Sequence, residues 1–385
     1  MQALLECCCG IDIHKDMIEA CILKGKGNKP KAIRAQFKTT QADLQNFVAW
    51  LSENHCFYIA MESTGVYWRP VYEVIEEYAQ HYEQLMVVNA RHMRNLPGRK
   101  NDIKDAEWIA TLLRHGLLES SFVPERIIRS LREFSRLHKS FVQERARYLN
   151  RLEKFLQVHG FKFSSVLSDI TGLSGRNLLN ILVTKGCITP DDVIKAVGKR
   201  IKRPLAEIES AVCGTLTKSE CRLLEHLLKK IDDAQEDIDA ILADMQELIR
   251  PYQKALEQLD SIPGIDTTAA LAILAEISAT PQTNFKTAAH ICSWAGLAPR
   301  NDESAGKVKS RKILHGNPYI KSILCQCAWA AVRSRKSSFA LWFWSHQGKL
   351  GKKKAIIAVA RKILVVAYTL LKNDEFYDSQ IAYMA

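Results

Sequence analysis

Residues 7–24 read CCCGIDIHKDMIEACILK, and this stretch decides the architecture of the first third of the chain. It divides into two short runs rich in apolar and β-branched residues, CCCGIDIHK (7–15) and DMIEACILK (16–24). A third run, KAIRAQFKT (31–39), follows after a glycine-rich break, so three strands are predicted in succession. Asp12 stands inside the first run between Ile11 and Ile13. On a strand those two neighbours point to the face opposite its own. Aspartate is depleted from strands, so a carboxylate at this position needs a reason.

Working outward, TTQADLQNFVAWLSENH (39–55) reads as an amphipathic helix, with Thr40 and Asp43 at capping-box spacing. FYIAMEST (57–64) is a strand that carries Glu62 at its end, GVYWRPVYEVIEEYA (65–79) a helix and YEQLMVVNA (82–90) a strand. A basic loop, RHMRNLPGRK (91–100), leads into NDIKDAEWIATLLRHG (101–116). The order βββαβαβα predicts a mixed α/β domain over residues 1–122. In the last of these helices Ile109, Leu112 and Leu113 form an apolar stripe that, run backwards, meets Asp105 and then Asp102. Both acids are therefore expected on the inward face. Capping accounts for them too, since Asn101 or Asp102 can close the helix start and first-turn acids suit its dipole.

The bulk composition, 47% hydrophobic and 25% charged, is that of a globular protein. A formal net charge of +12 favours a polyanionic partner. The charge is uneven: fifteen Lys or Arg lie between Arg300 and Lys362, against the two acids Asp302 and Glu303. A nucleic-acid surface explains that bias better than solubility does. The eleven cysteines form no CxxC pair and no regular spacing, which points to reduced thiols and a cytoplasmic protein. The start, MQALLECCCGID, lacks a basic n-region. The run AIIAVARKILVVAYTLL is broken by Arg361 and Lys362, so a buried helix and no membrane span are expected.

From Arg126 to His159 the pattern is helical, with Ile128, Leu131, Phe134, His138, Phe141, Tyr148, Leu152 and Phe155 at spacings of three and four. A matching run at 218–249 carries Leu224, Leu227, Ile231, Ala234, Ile238, Ile241, Met245 and Leu248. An antiparallel coiled-coil arm over 123–250 accounts for both, as does plain bundle packing. Residues 164–215 read as short helices and turns between the two halves. Pro251 opens a mostly helical domain, 251–385.

Three constellations carry possible chemistry. Asp12, Glu62, Asp102 and Asp105 come from two strands and a helix of one domain, and four such acids repel one another unless cations sit among them. A hard divalent ion such as Mg²⁺ takes oxygen ligands of this kind and activates phosphodiester cleavage. In LDSIPGIDTTAALAILAEI (259–277) two helical runs flank Pro263-Gly264, like a helix-hairpin-helix whose amides cradle a phosphate; a purely structural turn fits as well. In AGLAPRNDESAGKVKSRKILHGNPYIKSIL (295–324), a loop holds Ser304 near Lys307, Lys309, Arg311 and Lys312. A serine hydroxyl among cations could attack a phosphodiester, although composition alone does not separate Ser304 from Ser310.

Together, GIDIHKD, AMESTGVYW, NARHMRNLPGRKNDIKDAEWIA, IPGIDTTAALAILAEI and AGLAPRNDESAGK…HGN resemble the DEDD transposases of the IS110 insertion sequences, especially the IS1111 branch. The resemblance covers nearly the whole chain. It implies a RuvC-type, RNase H-like N-terminal domain binding Mg²⁺ through Asp12, Glu62, Asp102 and Asp105. It further implies a C-terminal transposase domain whose Ser304 attaches to the cleaved strand. A noncoding guide RNA (a bridge or seeker RNA) would pair with donor and target DNA, on a homodimer or homotetramer. Two other readings compete: a Holliday-junction-type endonuclease in which metal-activated water cuts, and a non-catalytic nucleic-acid-binding protein.

Overall fold

Five strands, β1 (Cys7–Ile13), β2 (Met17–Lys24), β3 (Lys31–Lys38), β4 (Tyr58–Glu62) and β5 (Gln84–Val88), form one sheet in the order β3-β2-β1-β4-β5. Strands β1, β2 and β3 run antiparallel as two hairpins, while β4 and β5 join parallel to β1. Helices α1 (Gln41–Glu53), α2 (Trp68–Tyr78) and α3 (Asp105–Arg114) complete the order read from the sequence. The computed structural model describes residues 3–27, 29–63, 65–78, 82–89, 105–198, 201, 203–299, 302–304, 307–310, 312–313, 315–335 and 337–378; for 302–304 and 307–309 it describes the backbone alone. The chain divides into two compact units, Met1–Val123 and Pro124–Ala385.

In the first unit the two faces of the sheet are dressed differently. Cys9, Ile11 and Ile13 of β1 pack with Leu44 and Phe47 of α1 and Val71 and Ile75 of α2. Cys8 packs on the other face with Ala106, Ile109, Ala110 and Leu113 of α3. Alternation along a strand produces this division. Gly10 lies on the α3 face, where a Cβ would stand 2.2 Å from the Ala106 carbonyl oxygen and 2.3 Å from the Ala110 nitrogen. The strand therefore meets α3 backbone to backbone, and only glycine permits it.

The second unit opens with α4 (Arg126–Val158), which packs along α9 (Lys218–Leu248). His159 lies 3.5 Å from Glu220 at one end, and His138 faces the charge of Asp239 further along. The pairs fall in reverse order, so the two helices are antiparallel. Leu224, Leu228, Ile231, Ala234, Ile238 and Met245 are the buried stripe of α9, at the three-and-four spacing of a coiled-coil seam. The insert between these helices holds α5 (Phe163–Val166), α6 (Leu173–Lys185), α7 (Pro190–Ala196) and α8 (Leu205–Val212), plus a ribbon of β6 (Cys187–Ile188) and β7 (Gly214–Thr215). It has its own core, in which Phe161, Phe163 and Leu179 meet Leu156 of α4 and Leu224 of α9.

After the arm come α10 (Gln253–Asp260), α11 (Thr267–Ile277) and α12 (Ala288–Trp294), a ribbon of β8 (Asp302–Ser304) and β9 (Lys307–Ser310), and then α13 (Pro318–Arg333), α14 (Ser338–Leu350) and α15 (Lys352–Asn373). The apolar run interrupted by Arg361 and Lys362 is the buried helix α15, with Ile363, Leu364 and Val366 fully covered. No helix among the described residues is long and apolar enough to cross a membrane. One local expectation is corrected: Thr40 makes no side-chain cap to α1. Asp43 instead accepts the Lys38 amide at 2.5 Å, tying the helix start back to β3.

Candidate functional site

Asp12 shares the α3 face of β1 with Cys8 and Gly10, as alternation requires. Its side chain is 14% exposed, and His14 Nε2 lies 3.2 Å from its carboxylate. Burial pushes the Asp12 carboxyl above its usual range; His14 opposes that, while the charges of Asp105 and Glu19 add to the rise. The backbone contact at Gly10 brings the start of α3, and Asp105 with it, to this carboxylate. Glu62 joins them through register. Rungs Gly10↔Ala60 and Ile11↔Met61 make Asp12 and Glu62 neighbours at the carboxyl ends of parallel strands. Ala60 and Tyr58 pack on the α3 side, so Glu62 shares that face.

Two expectations change here. Asp105 is exposed, whereas the stripe of Ile109, Leu112 and Leu113 behind it is buried. As the first residue of α3 it stays hydrated, where the helix dipole favours its charge. Asp102 lies outside the described residues. Among the described residues no three His, Cys, Asp or Glu side chains are gathered closely enough to hold a metal ion, so Asp12, Glu62 and Asp105 do not close a metal cage by themselves. Burial is the main cause of the raised Asp12 pKa, and the neighbouring charges of Asp105 and Glu19 add repulsion to it. The donor set nevertheless fits a hard divalent ion: all oxygen, partly buried, with a cost that a cation would remove.

Glu19 was not singled out by sequence reasoning. It pairs across the hairpin with Asp12 and accepts from Gln36 at 2.8 Å. The signal was present in the tight HKD connection, which fixes the register of β1 against β2. Glu19, Arg34, Gln36 and Ala106 line a cleft of about 380 Å³ beside the carboxylates.

In the second unit, the expected serine loop is a ribbon. Ser304 pairs with Lys307, and Asp302 with Ser310, because DES and KVKS are compatible with extended pairing across a two-residue link. A bridge between Pro299 and Ile313 continues the pairing towards the root. There Gly316 takes φ +54° so close to Gly296 that a Cβ would stand 2.2 Å from its nitrogen. Lys312 is exposed, and its amide donates to Ser310 Oγ at 3.2 Å. Arg311 lies outside the described residues. Sequence reasoning also missed what holds this root. Asn317 caps α13, donates its amide to the Trp294 carbonyl at 3.1 Å and donates Nδ2 to Glu276 at 2.7 Å. Glu276, 2% exposed, accepts in turn from Arg136 of α4 at 3.1 and 3.3 Å. An acid ending the otherwise apolar helix TTAALAILAEI was the available signal.

The Pro263-Gly264 turn packs closely on α13. Gly264 has φ +91°, and a Cβ there would lie 2.5 Å from the Cys327 carbonyl oxygen. Asp266 caps α11 by accepting the Ala269 amide at 2.7 Å, so a carboxylate already occupies that helix start.

Comparison with known proteins matches two segments of the chain. A transposase model of the DEDD type from IS110 elements matches residues 9–160. A second, described as transposase of the IS116/IS110/IS902 family, matches residues 256–342. The chain belongs to the IS110 family of transposases. Similar proteins include the uncharacterized 43.6 kDa protein of insertion element IS110 from Streptomyces coelicolor, 29% identical over 32% of this chain and 30% of its own length. The transposase for insertion sequence element IS1111A of Coxiella burnetii is 22% identical over 96% of this chain and 90% of its own. The pilin gene-inverting protein of Moraxella bovis is 29% identical over 32% and 38%. The chain thus spans about a third of the first and last of these relatives. The two IS110 segments hold all four acids and Ser304, and the family suggests a divalent metal.

Proposed function

We propose that this chain is a DNA transposase that cuts and rejoins strands through Ser304, with Asp12, Glu62, Asp102 and Asp105 holding Mg²⁺. The observation that carries the reading is the placing of Asp12 and Glu62 on adjacent parallel strands, on the face where α3 delivers Asp105. When bound, a divalent ion supplies charge neutralisation at the scissile phosphate. The protein's own part is to keep Asp12 and Glu62 at the carboxyl ends of two interior strands and to leave Asp105 accessible to solvent. At the serine, the Oγ–phosphorus bond forms as the phosphorus–oxygen bond to the departing strand breaks. The hydroxyl proton leaves, and the departing oxygen takes one up. The phosphoserine ester keeps the strand activated for rejoining, which suits recombination better than hydrolysis. Lys307, Lys309, Arg311 and Lys312 follow Ser304 in sequence and supply positive charge for the anionic transition state. Donor and target DNA are the substrates, selected by pairing with a guide RNA, on a homodimer or homotetramer.

The test is to incubate substrate DNA with Mg²⁺ and look for covalent protein–DNA adducts. Wild type should form them, Ser304→Ala should not, and Asp105→Asn should lose them while still binding DNA. Adducts persisting in Ser304→Ala move the nucleophile to another residue. Cleavage by Ser304→Ala without any adduct would favour the water-activating endonuclease. Full activity of Asp105→Asn would remove the carboxylates from the reaction.

A further inference from the structure

From Ser304 to Asn373 the sequence contains no Asp or Glu. The helices that this stretch builds nevertheless expose large aromatic surfaces. On α13 the exposed face carries Gln326, Trp329, Ala330 and Arg333, one helical turn apart. On α14 it carries Leu341, Trp344, Ser345 and Lys349. Trp329 is 43% exposed and Trp344 55%. Both border the buried ring of Phe343, at centroid distances of 6.1 and 5.4 Å and steep angles of 64° and 83°. Among the described residues neither is stacked face to face on another ring. Trp342, also on α14, is stacked: His346 lies 4.3 Å away at 8°, with the Lys362 ammonium 5.7 Å from the indole.

Exposed indoles on a monomer surface indicate a partner. Here the charge decides which. Arg333, Arg335, Lys349, Lys352, Lys353 and Lys354, on or next to the same helices and the start of α15, are exposed, and among the described residues no carboxylate pairs with them. A second copy presenting the same surface would meet it with like charge. A polyanion with flat apolar rings satisfies both features, and a duplex hides those rings inside its stack. We propose that Trp329 and Trp344 form a stacking platform for unpaired bases of a DNA strand, whose phosphates are held by the cations of α13, α14 and the start of α15. Aromatic stacking beside a basic surface is the physical basis of binding to single strands without sequence preference. The choice of DNA rests on the proposed strand transfer, which frees unpaired ends; the binding itself needs neither Ser304 nor a metal.

The experiment uses the full chain and fluorescence anisotropy with three labelled probes of equal length: oligo(dT), an abasic deoxyribose-phosphate strand and a duplex. Trp344→Ala and Trp329→Ala are each expected to weaken oligo(dT) binding about tenfold, in line with the stacking contribution of one base. Affinity for the abasic strand and the duplex should stay within about twofold, and Trp344→Phe should keep most of the oligo(dT) affinity. Unchanged oligo(dT) binding overturns the platform, as does equal loss on all three probes. If the variants alter only sedimentation, with strand binding intact, the patch is a contact between copies and the proposal fails. Adduct formation at Ser304 is read separately, so failure of the proposed chemistry leaves this result standing.

Discussion

At the scale of single residues, Gly10 has the plainest consequence. A methyl group there would meet the backbone of α3 at 2.2 Å, and backbone cannot turn aside as a side chain does. Gly10→Ala is expected to lower stability by at least about 1–3 kcal/mol, as overpacking does, measured by urea denaturation. Gly348→Ala is the control: its Cβ meets nothing within 4 Å, and replacing a helical glycine adds about 0.5–1 kcal/mol of stability. The face of Asp12 was legible in advance, because Ile11 and Ile13 demand the opposite core. The exposure of Asp105 was not. Helical spacing says which residues share a stripe but not where the sheet beneath it ends.

At the scale of elements, the arm and its insert were legible to different degrees. The two long helices announced themselves through sustained spacings of three and four. On α9, Leu224, Ile231, Ala234, Ile238 and Met245 of the stripe read from sequence are buried. Leu227, Ile241 and Leu248 are only partly covered, and Leu228 takes a buried place. The insert has no long periodic run, and its short helices depend on a core gathered from distant residues. The serine segment was misread because a ribbon this short carries too few alternations to stand out from a loop. Within the insert, Thr189 and Asp192 form a reciprocal capping box at the start of α7, and Lys185 pairs with Asp192. The hydrogen bond from Lys185, then those from Thr189, hold the Asp192 carboxyl down at about 2. This lies below the value of about 3.9 expected in the unfolded chain. The carboxylate's stabilisation is therefore complete above about pH 4 and lost as pH falls through 2. Thermal melting should show Asp192→Asn less stable than wild type at neutral pH, with the gap closing between about pH 4 and 2.

At the scale of the whole molecule, charge distribution governs behaviour more than total charge. A net charge of +12 would be modest if spread evenly; here a seventy-residue acid-free stretch concentrates positive charge between Ser304 and Asn373. Binding to duplex DNA, read by anisotropy across a salt series, should therefore weaken steeply. Six to ten phosphate contacts correspond to a loss of about 10³–10⁵ between 50 and 200 mM salt. A flat response would place the interface elsewhere. The same absence of local counter-charge has a practical corollary. With no carboxylate in that stretch to neutralise it, the protein will leave a cell lysate carrying host nucleic acid. Its ultraviolet absorbance ratio should betray that cargo until a high-salt wash strips it away.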